Sequence, residues 1–221
     1  ENKKKSKIGS CKYRDISTFS LHPIKNITTG EGGIVTTNDN LIAKKTRLYR
    51  SHGLEKNSKY YWKYKLHNFG YNYRLSEINC ALGLSQLNKI NYFIKKRKSK
   101  VKKYIKEISS LKNYINIPNY NSLEIGAHHL FIIHLQFNRL KGNKDDFIKF
   151  LNKKNIFPQF HYTPIYRLKK FKNFNIKNFA GSEKYFKTCI SIPIYVGLSK
   201  KNQNYVIKNI INYINKFKKK N

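Results

Sequence analysis

Apolar residues in this chain follow two periods that take turns along its length, and that alternation limits the folds open to it. Residues 199–217 set Val206, Ile207, Ile210, Ile211, Ile214 and Phe217 at helical spacing. Residues 94–111 repeat the pattern with Ile94, Val101, Tyr104, Ile105, Ile108 and Leu111, with lysines on the opposite face. Residues 144–155 and 39–49 read as further helices, and Ser76 with Asn79 reads as the start of another that runs to a soft break at 88–91. Between them lie short runs suited to strands: 16–20, 33–37, 129–137 and 190–194. Such an order predicts an α/β fold. Residues 54–73 show no period, yet they hold five tyrosines and Trp62, so an ordered excursion is expected there rather than a linker. Pro118 interrupts the aperiodic stretch 113–126, which divides the chain into 1–112 and 113–221.

The charge balance opens one function class and weakens it at once. Lys and Arg number 46 against 11 Asp and Glu, a net +35, which suits a nucleic-acid-binding module. The excess falls on Lys 39, Asn 27, Ile 27, Tyr 17 and Phe 14, against Ala 4. All five abundant types have codons beginning with two A or T bases, so base composition inflates charged and uncharged residues together. Much of the charge therefore reads as drift on solvated faces, with a basic nucleic-acid module as the alternative. Cys11, Cys80 and Cys189 are odd in number and far apart, which fits neither a disulfide framework nor a metal site and points to a reducing cytoplasm. No run of about 18 apolar residues predicts a membrane span.

Chemistry concentrates between the first two strands. Residues 19–25, F-S-L-H-P-I-K, lead into I-T-T-G-E-G-G at 27–33. Lys25 sits in a tight turn, unlike the lysines set on helix faces. Partial burial makes the neutral amine of a lysine available, as Schiff-base chemistry requires, while glycines let backbone approach a ligand. An exposed lysine on a surface hairpin is the other reading of the same residues.

The string S-x-H-x-x-K followed by I-T-T-G-E-G-G resembles the lysine motif of the DegT-type sugar aminotransferases, pyridoxal-phosphate enzymes of the aspartate-aminotransferase fold. R-S-H-G at 50–53, G-Y-N-Y-R-L-S-E at 70–77, A-L-G-L-S-Q-L at 81–87 and Arg97 follow in the order the family has them. So do H-L at 129–130, H-Y-T-P at 161–164 and S-I-P at 191–193. The resemblance implies the later part of a fold-type I pyridoxal-phosphate transferase: the remainder of the large domain with a long connecting helix, then a small α/β C-terminal domain. It implies that Lys25 links covalently to the cofactor and then carries protons, that Ser20 donates to the cofactor phosphate, and that Asn72 reaches the phosphate held by the other subunit of a homodimer with shared active sites. His161 and Tyr162 face the sugar nucleotide. Arg74 contacts phosphate or nucleotide, or pairs with a residue such as Glu77. His22 packs and orients; Cys80, His128 and His134 are structural. No metal, nucleic-acid or membrane partner is implied.

The expected reaction is amination of a nucleotide-linked keto-sugar, most like a UDP-4-keto-6-deoxy-N-acetyl sugar, with an amino acid, glutamate expected, as donor. Such enzymes feed cell-surface glycan synthesis. Family members also carry a long N-terminal part with the phosphate-binding helix, a ring-stacking aromatic residue and the Asp that pairs with the ring nitrogen. That part is expected upstream of Glu1, which fits the absence of methionine, and the 221 residues alone are expected to be inactive.

Overall fold

The computed structural model describes residues 6–118, 126–171 and 174–219, and these divide into two compact units between Ile90 and Asn91. The first unit opens on strands β1 (Ser17–Ser20) and β2 (Gly33–Thr36), an antiparallel pair with Ser20 opposite Gly33. Helix α1 (Asn40–Arg50) follows at once because Asp39, in extended conformation, accepts from the amides of Leu41 and Ile42. The aperiodic excursion turns out to hold a hairpin, β3 (Leu54–Lys56) with β4 (Tyr64–Leu66). Glu55 ties it to its surroundings through Lys44 at 3.2 Å and His67 at 2.5 Å, and the hydrogen bonds from these two side chains, Lys44 foremost, hold its carboxyl below the ordinary range.

Where the excursion passes the end of α1, backbone lies on backbone. Gly53, at φ +74°, is so close to residue 68 that a Cβ there would stand 1.6 Å from the Asn68 carbonyl oxygen. A Cβ on Gly70 would stand 2.5 Å from the Gly53 nitrogen. Helix α2 (Glu77–Leu87) then starts on Ser76, whose Oγ accepts from the Asn79 amide. The first unit leaves much apolar surface uncovered, including Phe19, Ile34 and Val35 of the β1–β2 pair, and neither α1 nor α2 has a fully buried residue.

The second unit owns the core. Its sheet runs β5 (Ile115–Asn116), β6 (Phe131–Leu135), β7 (Cys189–Ile192), antiparallel throughout. In β6 the alternation read from sequence holds: Phe131, Ile133 and Leu135 are buried while Ile132 and His134 are partly exposed. Helix α3 (Ile90–Ile108) contributes Val101, Tyr104 and Ile108; α4 (Lys144–Asn152), set by an Asn143–Asp146 capping box, contributes Phe147 and Leu151. Helix α5 (Ala180–Thr188) leads directly into β7, and α6 (Lys200–Phe217), capped by Ser199, closes the unit with Ile210, Tyr213 and Ile214. Phe131 stacks on Tyr104 at 5.0 Å, and Phe147 meets Tyr213 edge-on at 4.8 Å.

The units divide at the first residue of α3, whereas the break expected at 113–126, whose residues 119–125 lie outside the described residues, gives α3 to the first domain. The apolar stripe of α3 is buried in the core of the second unit, so the helix packs with the residues that follow it. No described helix is long and apolar enough to cross a membrane.

Candidate active site

The lysine turn is built by a few hydrogen bonds. Ser20 ends β1, the Leu21 amide donates to the Gly32 carbonyl at 2.9 Å, and the chain returns when the Thr29 amide donates to the Leu21 carbonyl at 3.1 Å. Inside that loop Pro23 and Ile24 turn the chain, and the Lys25 amide donates to the His22 carbonyl at 2.9 Å. The Lys25 side chain is half-buried. Ser20 is exposed, and its Oγ accepts from the His22 amide at 3.4 Å, which leaves its hydroxyl proton available to an acceptor. His22 shapes the turn, its Nδ1 accepting from the Ile24 amide at 3.3 Å and its Nε2 lying 3.6 Å from Glu31.

The first turn of α2 braces this loop from outside. Asn79 Nδ2 donates to the Thr29 carbonyl at 2.7 Å, and Ser76 Oγ donates to Asn79 Oδ1 at 2.6 Å, which fixes the amide's orientation. Gly32, at φ +142°, packs under Leu75, where a Cβ would approach a leucine methyl to 2.5 Å. Sequence reasoning read Asn79 only as part of a helix start. Its bond to a carbonyl 50 residues earlier left no local signal.

Asn72 lies elsewhere in the first unit, bridged to Ser51 and flanked by Tyr71 and Tyr73, whose rings stack at 4.9 Å. It is exposed, and among the described residues no hydrogen bond links it to the Lys25 turn. Arg74 is exposed and lines an open cleft of about 1240 Å3 with Arg47, Arg50 and Glu31; among the described residues it forms no ion pair with Glu77. The cleft's wall includes the uncovered faces of β1 and β2 and excludes Lys25 itself.

In the second unit, Gln159 exchanges backbone hydrogen bonds with Ser191 along the open edge of β7, at 3.0 and 2.6 Å. That attachment sets His161, whose Nδ1 lies 2.9 Å from Ser191 Oγ, while Tyr162 stands 70% exposed against the His161 ring. His134 is held by Thr188 at 2.9 Å with its pKa lowered by burial, and burial raises the thiol pKa of Cys189. His128 is buried, whereas Cys80 stands exposed on α2. Arg97, noted in sequence only as a motif match, is a buried clamp: one guanidinium nitrogen donates to the carbonyls of His128, His129 and Ile194 at 3.3, 3.2 and 3.1 Å. Arg167 grips Glu183 through two bonds, at 2.8 and 2.5 Å, with Tyr166 adding a third. Among the described residues no cluster of His, Cys, Asp and Glu is set to hold a metal ion.

The sequence pattern of the DegT/DnrJ/EryC1/StrS aminotransferase family matches residues 2–211. A UDP-4-amino-4,6-dideoxy-N-acetyl-beta-L-altrosamine transaminase of Campylobacter jejuni is 33% identical over 217 residues, covering 98% of this chain and 56% of that protein. The solved structure of Helicobacter pylori PseC, described as an aminotransferase involved in pseudoaminic acid biosynthesis, superposes with a TM-score of 0.83 at 30% identity, over 93% of this chain and 54% of that one. NtdA of Bacillus subtilis, solved with bound PMP, superposes at 0.77 with 25% identity, over 93% and 47%. The chain thus spans about half the length of the relatives it matches. With a braced lysine turn, a family pattern over almost its whole length and the fold of these solved enzymes, the chain belongs to the DegT/DnrJ/EryC1/StrS aminotransferase family.

Proposed function

We propose that this chain is the lysine-bearing part of a pyridoxal-phosphate-dependent nucleotide-sugar aminotransferase that aminates a UDP-linked 4-keto-6-deoxy-N-acetyl sugar, with glutamate as donor. The observation that carries the reading is Lys25, half-buried in a turn fixed at both ends and braced by Asn79. The donors present fit two ends of the cofactor: a primary amine for its aldehyde, and the free hydroxyl proton of Ser20 for its phosphate. Bound there, the cofactor supplies an electron-accepting ring that acidifies the substrate carbon.

The remaining chemistry falls to side chains. Lys25 holds the cofactor and afterwards its Nζ takes and returns the proton that moves at the substrate carbon. Asn72 donates to the phosphate of the neighbouring subunit's cofactor, so the active unit is a homodimer. His161 and Tyr162 orient the sugar; Arg74, exposed and without an ion pair to Glu77, serves the nucleotide phosphates. The likeness to the Campylobacter transaminase supports the substrate class, and a biosynthetic role on nucleotide sugars supports a cytoplasmic setting.

The test uses the protein extended by the upstream half that its relatives possess. Lys25→Ala should abolish amino transfer and the visible absorbance of lysine-bound cofactor, with the thermal unfolding curve unchanged. Undiminished transamination in that variant would end the assignment.

A further inference from the structure

Helix α3 and the start of α6 enclose a cavity of about 340 Å3 in the second unit. Lys96, Lys100 and Lys103 line one wall and Lys200 another, with Tyr92 and Ser199 between them in the lining. The three α3 lysines stand at i, i+4 and i+7, a single helix face covering about 10 Å of axis. Among the described residues no carboxylate lines the cavity, and the first turn of α6 carries no acidic residue. Most lysines of this chain are exposed, Lys96 and Lys200 among them, whereas Lys100 and Lys103 are half-buried. All four nevertheless line one concave surface.

The charge behind the wall adds to theirs. Arg97, only 5% exposed, spends its hydrogen bonds on backbone carbonyls, and among the described residues no carboxylate pairs with it, which leaves its charge beside Lys100. Lys100 is half-buried, and its pKa is lowered by desolvation first and then by the charges of Lys96 and Arg97. The walls are fixed: Gln203 Nε2 donates to the Lys100 carbonyl at 2.8 Å, and Tyr104 donates to the Pro193 carbonyl at 2.8 Å. The concavity therefore exists before any ligand arrives.

An anion relieves the repulsion among these ammonium groups, and its size follows from their spacing. One phosphate cannot reach both ends of a row about 10 Å long, whereas two linked phosphates reach most of it. The volume suits a small ligand, at the lower end of the usual range of about 300–1000 Å3. The geometry points to a binding site in this cavity for a diphosphate group, carried either by free pyrophosphate or by a nucleoside diphosphate. This site goes beyond the proposed function and uses none of its residues.

Calorimetric titration of the cofactor-loaded protein, extended by the upstream half that its relatives possess, at about 50 mM chloride with pyrophosphate, UDP and inorganic phosphate tests it. Pyrophosphate or UDP should bind at least about tenfold tighter than phosphate, and whichever of the two is tighter identifies the source. The K100Q/K103Q variant should lose about tenfold or more, whereas K149Q/K153Q at the C-terminal end of α4, with the same charge change, should stay within about twofold. Lys25→Ala should bind as the parent does, which separates this site from the lysine turn. Should K100Q/K103Q fail to fold, acetic-anhydride labelling of the parent decides: pyrophosphate should slow modification of Lys100 and leave Lys149 unchanged. Equal losses in both double variants, no preference over inorganic phosphate, loss in Lys25→Ala, or an unprotected Lys100 would each overturn the proposal.

Discussion

Replacing Asn79 tests how the lysine turn is held. Its Nδ2 donates to the carbonyl of Thr29, a residue 3% exposed. Asn79→Ala removes a bond worth about 0.5–1.5 kcal/mol net and strands a buried carbonyl, which costs about 1–3 kcal/mol. These overlap, since both describe the same lost partner, so the expected loss is about 1–3 kcal/mol of local stability. Asn79→Asp separates mechanisms. Asp at the third position of α2 gains about 0.3–1 kcal/mol from the helix dipole, yet its oxygens cannot donate and would face the Thr29 carbonyl. If the brace matters, Asp should be at least as damaging as Ala. Hydrogen exchange of the Leu21, Thr29 and Gly30 amides, all bonded within the loop, reads the local opening. Slower exchange in Asn79→Asp than in the parent would refute the brace and leave only a helix-end effect.

On the role proposed for Asn72, its replacement by Ala in the extended protein should weaken cofactor binding roughly ten- to a hundredfold, the loss of one bond to a charged phosphate, and leave the proposed dimer associated; equilibrium dialysis and sedimentation would measure both. Phe131→Ala should cost about 3–5 kcal/mol in urea unfolding, because the ring is fully buried against Tyr104 in the central strand. The carboxyl of Glu183 is held below its usual 4.5, first by its hydrogen bonds to Arg167. A depressed carboxyl contributes stability above its unfolded pKa and loses it as pH falls through the folded one, so Glu183→Gln should flatten the decline of stability below about pH 4.5.

What was legible in the sequence was local. The helix at 39–49 appears one residue later, behind the Asp39 cap, and 199–217 appears as Lys200–Phe217 behind Ser199, because caps and apolar stripes are written in neighbouring residues. Lys25 and Ser20 share a turn for the same reason. The β3–β4 hairpin escaped notice because strands of three residues have no measurable period. Helix α5 escaped because its one buried residue is the charged Glu183, paired with Arg167, so no apolar stripe marks it. The α3 stripe announced a buried face without saying which core would bury it. Arg97 clamps carbonyls 31, 32 and 97 residues away, and such contacts leave no spacing to read.

The crossing of Gly53 over residues 68–70 bears on how far this sequence can drift. Every glycine codon begins with two G bases, and a single change of either to A yields Ser, Arg, Asp or Glu, each bearing a Cβ. At Gly53 that first carbon would overlap the Asn68 carbonyl, and at Gly70 it would press on the Gly53 amide, with backbone on both sides unable to swing away. The same base pressure that fills helix surfaces with lysine and asparagine therefore meets a steric wall at these two positions. A saturation library selected for folded protein should accept almost any polar residue at Lys149 or Lys153 and return glycine at 53 and 70.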